Sequence, residues 1–283
     1  MDTRFSTTRH RVHNEENSLS NSLTRLAAAG AFALVATSAA ADPIDLSSWS
    51  PLTLDFPGGQ SAGNWVLEPG NTAVKQVINA DPSFYLNNIN QTHYSIDGTW
   101  QVLESGGDDD YMGFVFGYQN SSNFYLFDWK QSSQSYVGHN AAEGMSIKRF
   151  TGATGNGLAD LSLEEFWENQ ASFGDMTLLD TNHSSTAGWV DNKLYNFHLD
   201  FNVDPGDMHI VVMDGAVTLW DTTVHDTTFG GGEFGFFNNS QQDVRYAGFV
   251  QTGGVPVVPE PETYALMLAG LGALGWATRR RRR

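Results

Sequence analysis

Between residues 195 and 220 the chain alternates apolar and polar positions and then turns back on itself, and this pattern restricts the fold more than any other. Tyr195, Phe197, Leu199 and Phe201 alternate with Asn196, His198 and Asp200, so in a strand the first set faces one way and the second the other. The run HIVVM at 209–213, the dipeptide DG at 214–215 and AVTLW at 216–220 read as a hairpin, because Asp-Gly supplies the positive φ angles of a tight primed turn. A second strand pair is expected from GFVFGY at 113–118 and FYLFDW at 124–129, joined by QNSSN. FGFF at 234–237 and residues 244–250 complete the set. One segment, LSLEEFW at 161–167, has helical spacing, with Leu163, Phe166 and Trp167 on one side, and reads as a short insert in a long loop. Many short strands with turn residues between them predict an all-β chain, a two-sheet antiparallel sandwich or jelly roll.

Both ends carry a different signal. Arg25 precedes the apolar run LAAAGAFALVA at 26–36, and Ala39, Ala40 and Ala41 offer a small-residue cleavage site before Asp42, which is the layout of an export signal peptide cut between Ala41 and Asp42. At the other end Pro259, Glu260 and Pro261 precede an uncharged apolar run at 264–278 and five arginines at 279–283. As a helix that run spans roughly 23 Å, short of the about 20 residues a stable membrane span needs. The arginines favour the cytoplasmic side, which puts the preceding chain outside the inner membrane. This tail resembles the PEP-CTERM sorting signal of Gram-negative bacteria. The resemblance implies recognition and removal by an exosortase after a transient inner-membrane contact through the apolar helix, and delivery to the cell surface or extracellular matrix.

With both ends set aside, the charge balance is lopsided. Of 15 Lys and Arg, four fall in 1–41 and five in 259–283, leaving six; of 32 Asp and Glu, three and two fall there, leaving 27, a net charge near −21. Such a surface repels nucleic acid and anionic lipid and suits high-salt solvation or divalent cations. The chain has no cysteine, so an exported domain must hold itself together by core burial, and its many Phe, Trp and Tyr supply it.

The stretch 108–131, DDDYMGFVFGYQNSSNFYLFDWKQ, resembles the thrombospondin C-terminal domain. The likeness extends from Asn64 and Trp65 through NADP at 79–82, GTW at 98–100, GW at 188–189, MHIVVM at 208–213 and FGGGEFGF at 229–236 to Phe249. It implies a concanavalin-A-like, L-type-lectin-like β-sandwich that is extracellular, calcium-associated and adhesive. The expected organisation is a signal peptide at 1–41, a lead-in at 42–63, the sandwich at 64–251, a linker at 252–258 and the sorting signal at 259–283. This chain departs from the family in lacking serial Asp-x-Asp-x-Asp-Gly repeats upstream and in having no cysteines. Asn123, Leu126, Phe127 and Asp128 differ from the animal segment proposed for receptor contact, so no animal receptor carries over. Residues 150–187 match poorly.

Candidate chemistry centres on Asp108, Asp109 and Asp110. Three adjacent carboxylates repel one another unless solvated or bound to a cation, and Ca²⁺ takes six to eight hard oxygens from such loops. Because successive strand residues face opposite ways, at most two of the three serve one ion. The loop is therefore either a calcium site, as the resemblance implies, or a solvated acidic edge. Asp128, in an aromatic strand, is an inward ligand or the polar face of the alternation. DPGD at 204–207 reads as a turn. Glu164 and Glu168 at helical spacing share one face, which reads as a solvated helix edge rather than an acid/base pair. The eight histidines show no metal-binding spacing, with His198 and His209 at strand positions, and no nucleophile elbow or phosphate loop is present. The expectation is a calcium-associated binding or adhesion protein of the cell surface or exopolysaccharide biofilm matrix, contacting polysaccharide or cell-surface glycan and not acting as an enzyme. The alternatives are a carbohydrate-active enzyme and a purely structural matrix protein.

Overall fold

The structure, a computed structural model, describes residues 43–104 and 106–253. The cleavage site at Ala41 and Asp42, the motif Pro259, Glu260 and Pro261, and the apolar run at 264–278 lie outside the described residues. Among the described residues no helix is long and apolar enough to cross a membrane.

Two seven-stranded sheets pack face to face. The first runs β1 (Ser50–Thr53), β4 (Ser83–Leu86), β15 (Glu233–Asn239), β6 (Tyr111–Asn120), β7 (Asn123–Lys130), β10 (Gly144–Thr151) and β11 (Met176–His183). The second runs β14 (Val217–His225), β13 (Asp207–Asp214), β12 (Tyr195–Asn202), β5 (His93–Val102), β16 (Val244–Thr252), β3 (Ala73–Gln76) and β2 (Trp65–Leu67). A small hairpin, β8 (Gln134–Tyr136) and β9 (His139–Ala141), projects beside the first sheet. All neighbouring strands pair antiparallel. The sandwich expected from the alternation is the fold observed.

An aromatic core joins the sheets. Trp100 of β5 stacks on Phe197 with ring centroids 4.5 Å apart and on Phe127 of the opposite sheet at 5.6 Å, while Phe236 meets Phe249 at 4.4 Å. Each such pair contributes about 0.5–1.5 kcal/mol beyond its buried area. Without disulfides, this interlocked layer is what holds the sheets together.

The two sheets differ in how many of their faces are dry. Strand β12 alternates buried and accessible residues as the sequence predicts, so the second sheet keeps one wet face. Strands β6 and β7 are buried almost throughout, a pattern that requires cover on both faces. The cover is the excursion that includes α1 (Gly157–Asp160) and α2 (Leu163–Trp167). Phe166 of α2 is fully buried among Phe56, Phe84, Phe124, Phe150 and Phe237. Of the helix carboxylates, Glu164 and Glu168 are half-buried and the residue beside Glu164, Glu165, is turned inward. It is buried, its Oε2 accepts from Ser162 N at 2.6 Å as an N-terminal cap, and its Oε1 accepts from Asp175 N. Glu168 faces the β8–β9 hairpin, 3.3 Å from His139 Nδ1.

One turn is tighter than the sequence implied, and another is displaced by one residue. Residues 121–122 alone join β6 to β7, because Asn120 Oδ1 accepts from Ser122 N at 3.1 Å and Asn123 Nδ2 at 2.9 Å and closes the loop. In the other hairpin Asp214 stays in β13, and the positive φ falls on Gly215, at 58°. The DPGD segment is the expected turn, between β12 and β13.

Candidate functional site

The loop entering β6 makes its approach through Gly106 and Gly107, both at positive φ, 67° and 92°. Its end is pegged by the backbone: Asp110 N donates to Gln241 Oε1 at 2.9 Å, and Trp189 Nε1 donates to Asp110 O at 3.0 Å. Antiparallel register then sets Tyr111 opposite Lys130, the last residue of β7. The result brings two of the three aspartates, Asp109 and Asp110, to a buried ammonium.

Lys130 is fully buried, with Nζ 2.6 Å from Asp110 Oδ1 and 3.5 Å from Asp109 Oδ1. It also donates to Asp109 O at 3.1 Å and Gln134 Oε1 at 3.0 Å, and Gln134 Nε2 in turn donates to Asp109. Two of the three acids thus compensate one buried cation, which a buried Lys requires. Asp108 is different. Its Oδ2 is buried with no hydrogen-bond partner, while its side chain meets those of Asn79 and Asp110. Burial and then the neighbouring charge of Asp110 push its carboxyl up to about 7. A carboxylate oxygen buried beside another carboxylate and an amide is a hard-oxygen corner that suits a divalent cation. The residues therefore fit calcium at Asp108, with Asp110 and Asn79 adjacent, better than they fit an ion shared equally by all three aspartates.

Beside this corner lies a pocket of about 470 Å³ between the sheet edge, the β8–β9 hairpin and α2, lined by Asp81, Asp110, Gln134, Tyr136, Trp167 and Asn239, among others. Its size is that of a small-ligand site. Tyr136 is 40% exposed, with its ring centroid 5.2 Å from that of Trp167. Trp167 lies 4.6 Å from Lys130 Nζ, a cation–π contact that fixes its ring, and its buried Nε1 has no partner. Asp81 accepts from Phe56 N at 2.8 Å and Gln60 N at 2.6 Å, so both oxygens organise the loop forming the far wall. Burial raises its carboxyl above the usual range.

Under α2 the polar floor continues inward. Lys148 Nζ is 2.7 Å from Asp128 Oδ2 and donates to Phe166 O at 2.9 Å, and Ser146 donates to Asp128. Asp128 does sit on the face opposite the aromatic core, as the alternation indicates, but that face is dry. Burial lowers the Lys148 ammonium while Asp128 opposes the shift.

The sequence reading found the aspartate loop and the helix carrying Trp167. It missed Lys130, Gln134, Tyr136 and Asp81. The one local signal was a lysine ending an otherwise aromatic strand, since Lys is almost never fully buried unless paired.

The class the fold and site define is a two-sheet antiparallel β-sandwich with one covered sheet, an acidic loop entering β6 and an open pocket beside it. The family model for the thrombospondin C-terminal region matches residues 60–252, and the chain belongs to that family. A PEP-CTERM protein-sorting motif matches residues 257–282. Thrombospondin-3b of Danio rerio is 31% identical over 207 residues, 71% of this chain and 22% of that protein. Cartilage oligomeric matrix protein of Homo sapiens is 29% identical over 232 residues, 80% of this chain and 30% of that protein. The chain thus spans less than a third of the length of these relatives. Among solved structures, the VIP36 exoplasmic/lumenal domain aligns at a TM-score of 0.48 and 10% identity, covering 78% of this chain and 90% of that one. The family and the sorting motif together mark an exported or extracellular protein.

Proposed function

We propose that this protein is a calcium-associated binding module of the cell surface or extracellular matrix of a Gram-negative bacterium, holding a polyhydroxylated ligand such as a glycan in the pocket beside Asp108. One observation carries the reading: Tyr136 and Trp167 set two aromatic rings against a rim of amide and carboxylate oxygens. Sugar rings stack on such faces through their C–H edges and hydrogen-bond to such a rim. Calcium at Asp108 would stiffen the loop that ends in Asp110, a pocket wall. The sorting motif supports exosortase processing and a transient inner-membrane contact through the apolar run. A biofilm matrix is the setting this implies.

Binding is favoured over hydrolysis because the pocket carboxylates are committed elsewhere. Asp81 accepts two backbone N–H groups and Asp110 pairs with Lys130, whereas glycoside hydrolysis needs a free acid and a free nucleophile or base. The test is a glycan-binding screen of the purified protein, with calcium and with chelator, alongside Tyr136→Ala. The expected result is calcium-dependent binding of one glycan class that Tyr136→Ala reduces without lowering the melting temperature. Binding that ignored Tyr136 would place the ligand elsewhere, and turnover of a bound polysaccharide would favour the enzyme.

A further inference from the structure

The wet face of the second sheet holds a second constellation, far in chemistry from the aspartate loop. His198 and Asp200 sit two residues apart on β12 and so share a face. The turn at 204–207 then fixes the β12–β13 register so that Asp200 stands opposite His209. His198 Nε2 is 3.0 Å and His209 Nδ1 is 3.8 Å from the same oxygen, Asp200 Oδ2, and one ligand atom from each residue lies within 4.8 Å of the others. The two imidazole centroids are 5.9 Å apart.

The far nitrogens are what separate this group from a chance surface cluster. His198 Nδ1 is 2.8 Å from Asp97 Oδ1 on β5, and His209 Nε2 is 2.9 Å from Asp221 Oδ1 on β14. A carboxylate that accepts the N–H of one ring nitrogen leaves the other nitrogen's lone pair pointing at the shared centre, which is the outer-shell arrangement of metal-bound histidine. Four adjacent strands therefore contribute: β12 two ligands, β13 one, and β5 and β14 one orienting carboxylate each. Donor atoms around a single first-row ion, bound at about 2.0–2.2 Å, lie roughly 2.9–3.4 Å apart. The observed 3.0 and 3.8 Å need only small side-chain rotations to match.

We infer that His198, Asp200 and His209 form a binding site for a first-row divalent transition metal such as Zn²⁺, oriented by Asp97 and Asp221. Two imidazoles and one carboxylate select zinc, cobalt, nickel or copper over calcium, which prefers an all-oxygen shell. Three protein ligands on an accessible face leave coordination positions open to solvent, so the ion is available to a donor from outside the chain. Three carboxylates, Asp97, Asp200 and Asp221, stand around the two rings, a setting that favours a dication.

The test uses untagged protein stripped with chelator. Zinc titration should show one saturable site, and Co²⁺ should give a visible absorption band that zinc removes and excess calcium does not. His209→Gln and Asp200→Asn should each abolish both signals. Asp97→Asn and Asp221→Asn should weaken zinc binding about 10–100-fold. His225→Gln, which removes another His–Asp pair on the same sheet, should leave it unchanged. Melting curves in chelator should match the parent protein for all five variants, because every altered side chain is at least partly exposed. Zinc bound with equal affinity by His209→Gln, or a loss in His225→Gln as large as in His209→Gln, would overturn the inference, as would the absence of a saturable site.

Discussion

Among the residues, Asp108 and Lys148 carry the sharpest consequences, because each is an ionisable group placed where its charged form is disfavoured. Burial, and then the neighbouring charge of Asp110, push the Asp108 carboxyl from an ordinary 3.8 up to about 7. Between those values the native state keeps a proton that the unfolded chain has released, so stability falls as pH rises from about 4 to 7. Asp108→Asn should flatten that decline when melting temperature is followed against pH in chelator; an unchanged profile would remove Asp108 as its source. Calcium bound as proposed would take the place of the proton, so its stabilising effect should grow with pH. At a hundred times its dissociation constant it adds about 2.7 kcal/mol, about 5–11 °C for a domain of this size, and sodium chloride at equal ionic strength should not reproduce it. Asp109→Asn or Asp110→Asn is a poorer probe, since both disturb the pairing of Lys130. The Asp128–Lys148 pair is buried in full. Lys148→Met alone should cost about 3–5 kcal/mol by stranding Asp128, and adding Asp128→Leu should recover much of that loss. Urea midpoints of the two variants decide it, and an additive pair of losses would show that the charges do not compensate each other.

At the scale of elements, the α1–α2 excursion is what makes the first sheet dry on both faces, and through Trp167 it also forms a pocket wall. Phe166→Ala should cost about 3–5 kcal/mol, since a fully buried ring among five other phenylalanines leaves a cavity that cannot collapse. Glu165→Gln should cost only about 0.5–2 kcal/mol through the weakened cap. Chemical denaturation ranks the two, and equal losses would mean that the helix is held by its cap rather than by its ring. Part of this element was legible: the spacing of Leu163, Phe166 and Trp167 gave the helix and its apolar side. What it packs on was less so, because on the outer face of β7 and β10 the apolar Phe124, Leu126 and Phe150 give way to Asp128, Lys130, Ser146 and Lys148, residues that in one dimension signal water. In the fold they neutralise one another beneath a lid. The polar residues of β10 also explain why that strand escaped an apolar-run reading.

For the whole molecule, sorting and folding belong to separate segments: a sandwich whose strands run from Ser50 to Thr252 and a sorting motif at 257–282. Maturation is expected to remove the tail, so the intact mass of the surface-exposed protein should end near Pro259. Finding the arginines at 279–283 still attached to that form would sink this prediction. The charge near −21 leaves six basic residues, and two of them, Lys130 and Lys148, lie buried against aspartates. Asp110 and Asp128 are buried with them, so the pairs cancel and the surface stays strongly acidic. Such a surface suits cations, which is the common ground of the two sites proposed above, calcium at Asp108 and a transition metal at the histidines of the second sheet.

The sequence by itself determined the class of fold, the hairpin at 209–220, the aspartate loop and the sorting motif, because period-two alternation, turn chemistry and contiguous motifs are local and survive in one dimension. Tertiary structure alone decided which partner each charge would find. Lys130 meets Asp109 and Asp110 through β6–β7 register, and Tyr136 meets Trp167 although two strands and a helix intervene along the chain. His198 and Asp200 meet His209 because the β12–β13 turn sets one register and not the next. A one-residue slip would turn His209 into the core, so no spacing along the chain encodes that site; the geometry of two adjacent strands does.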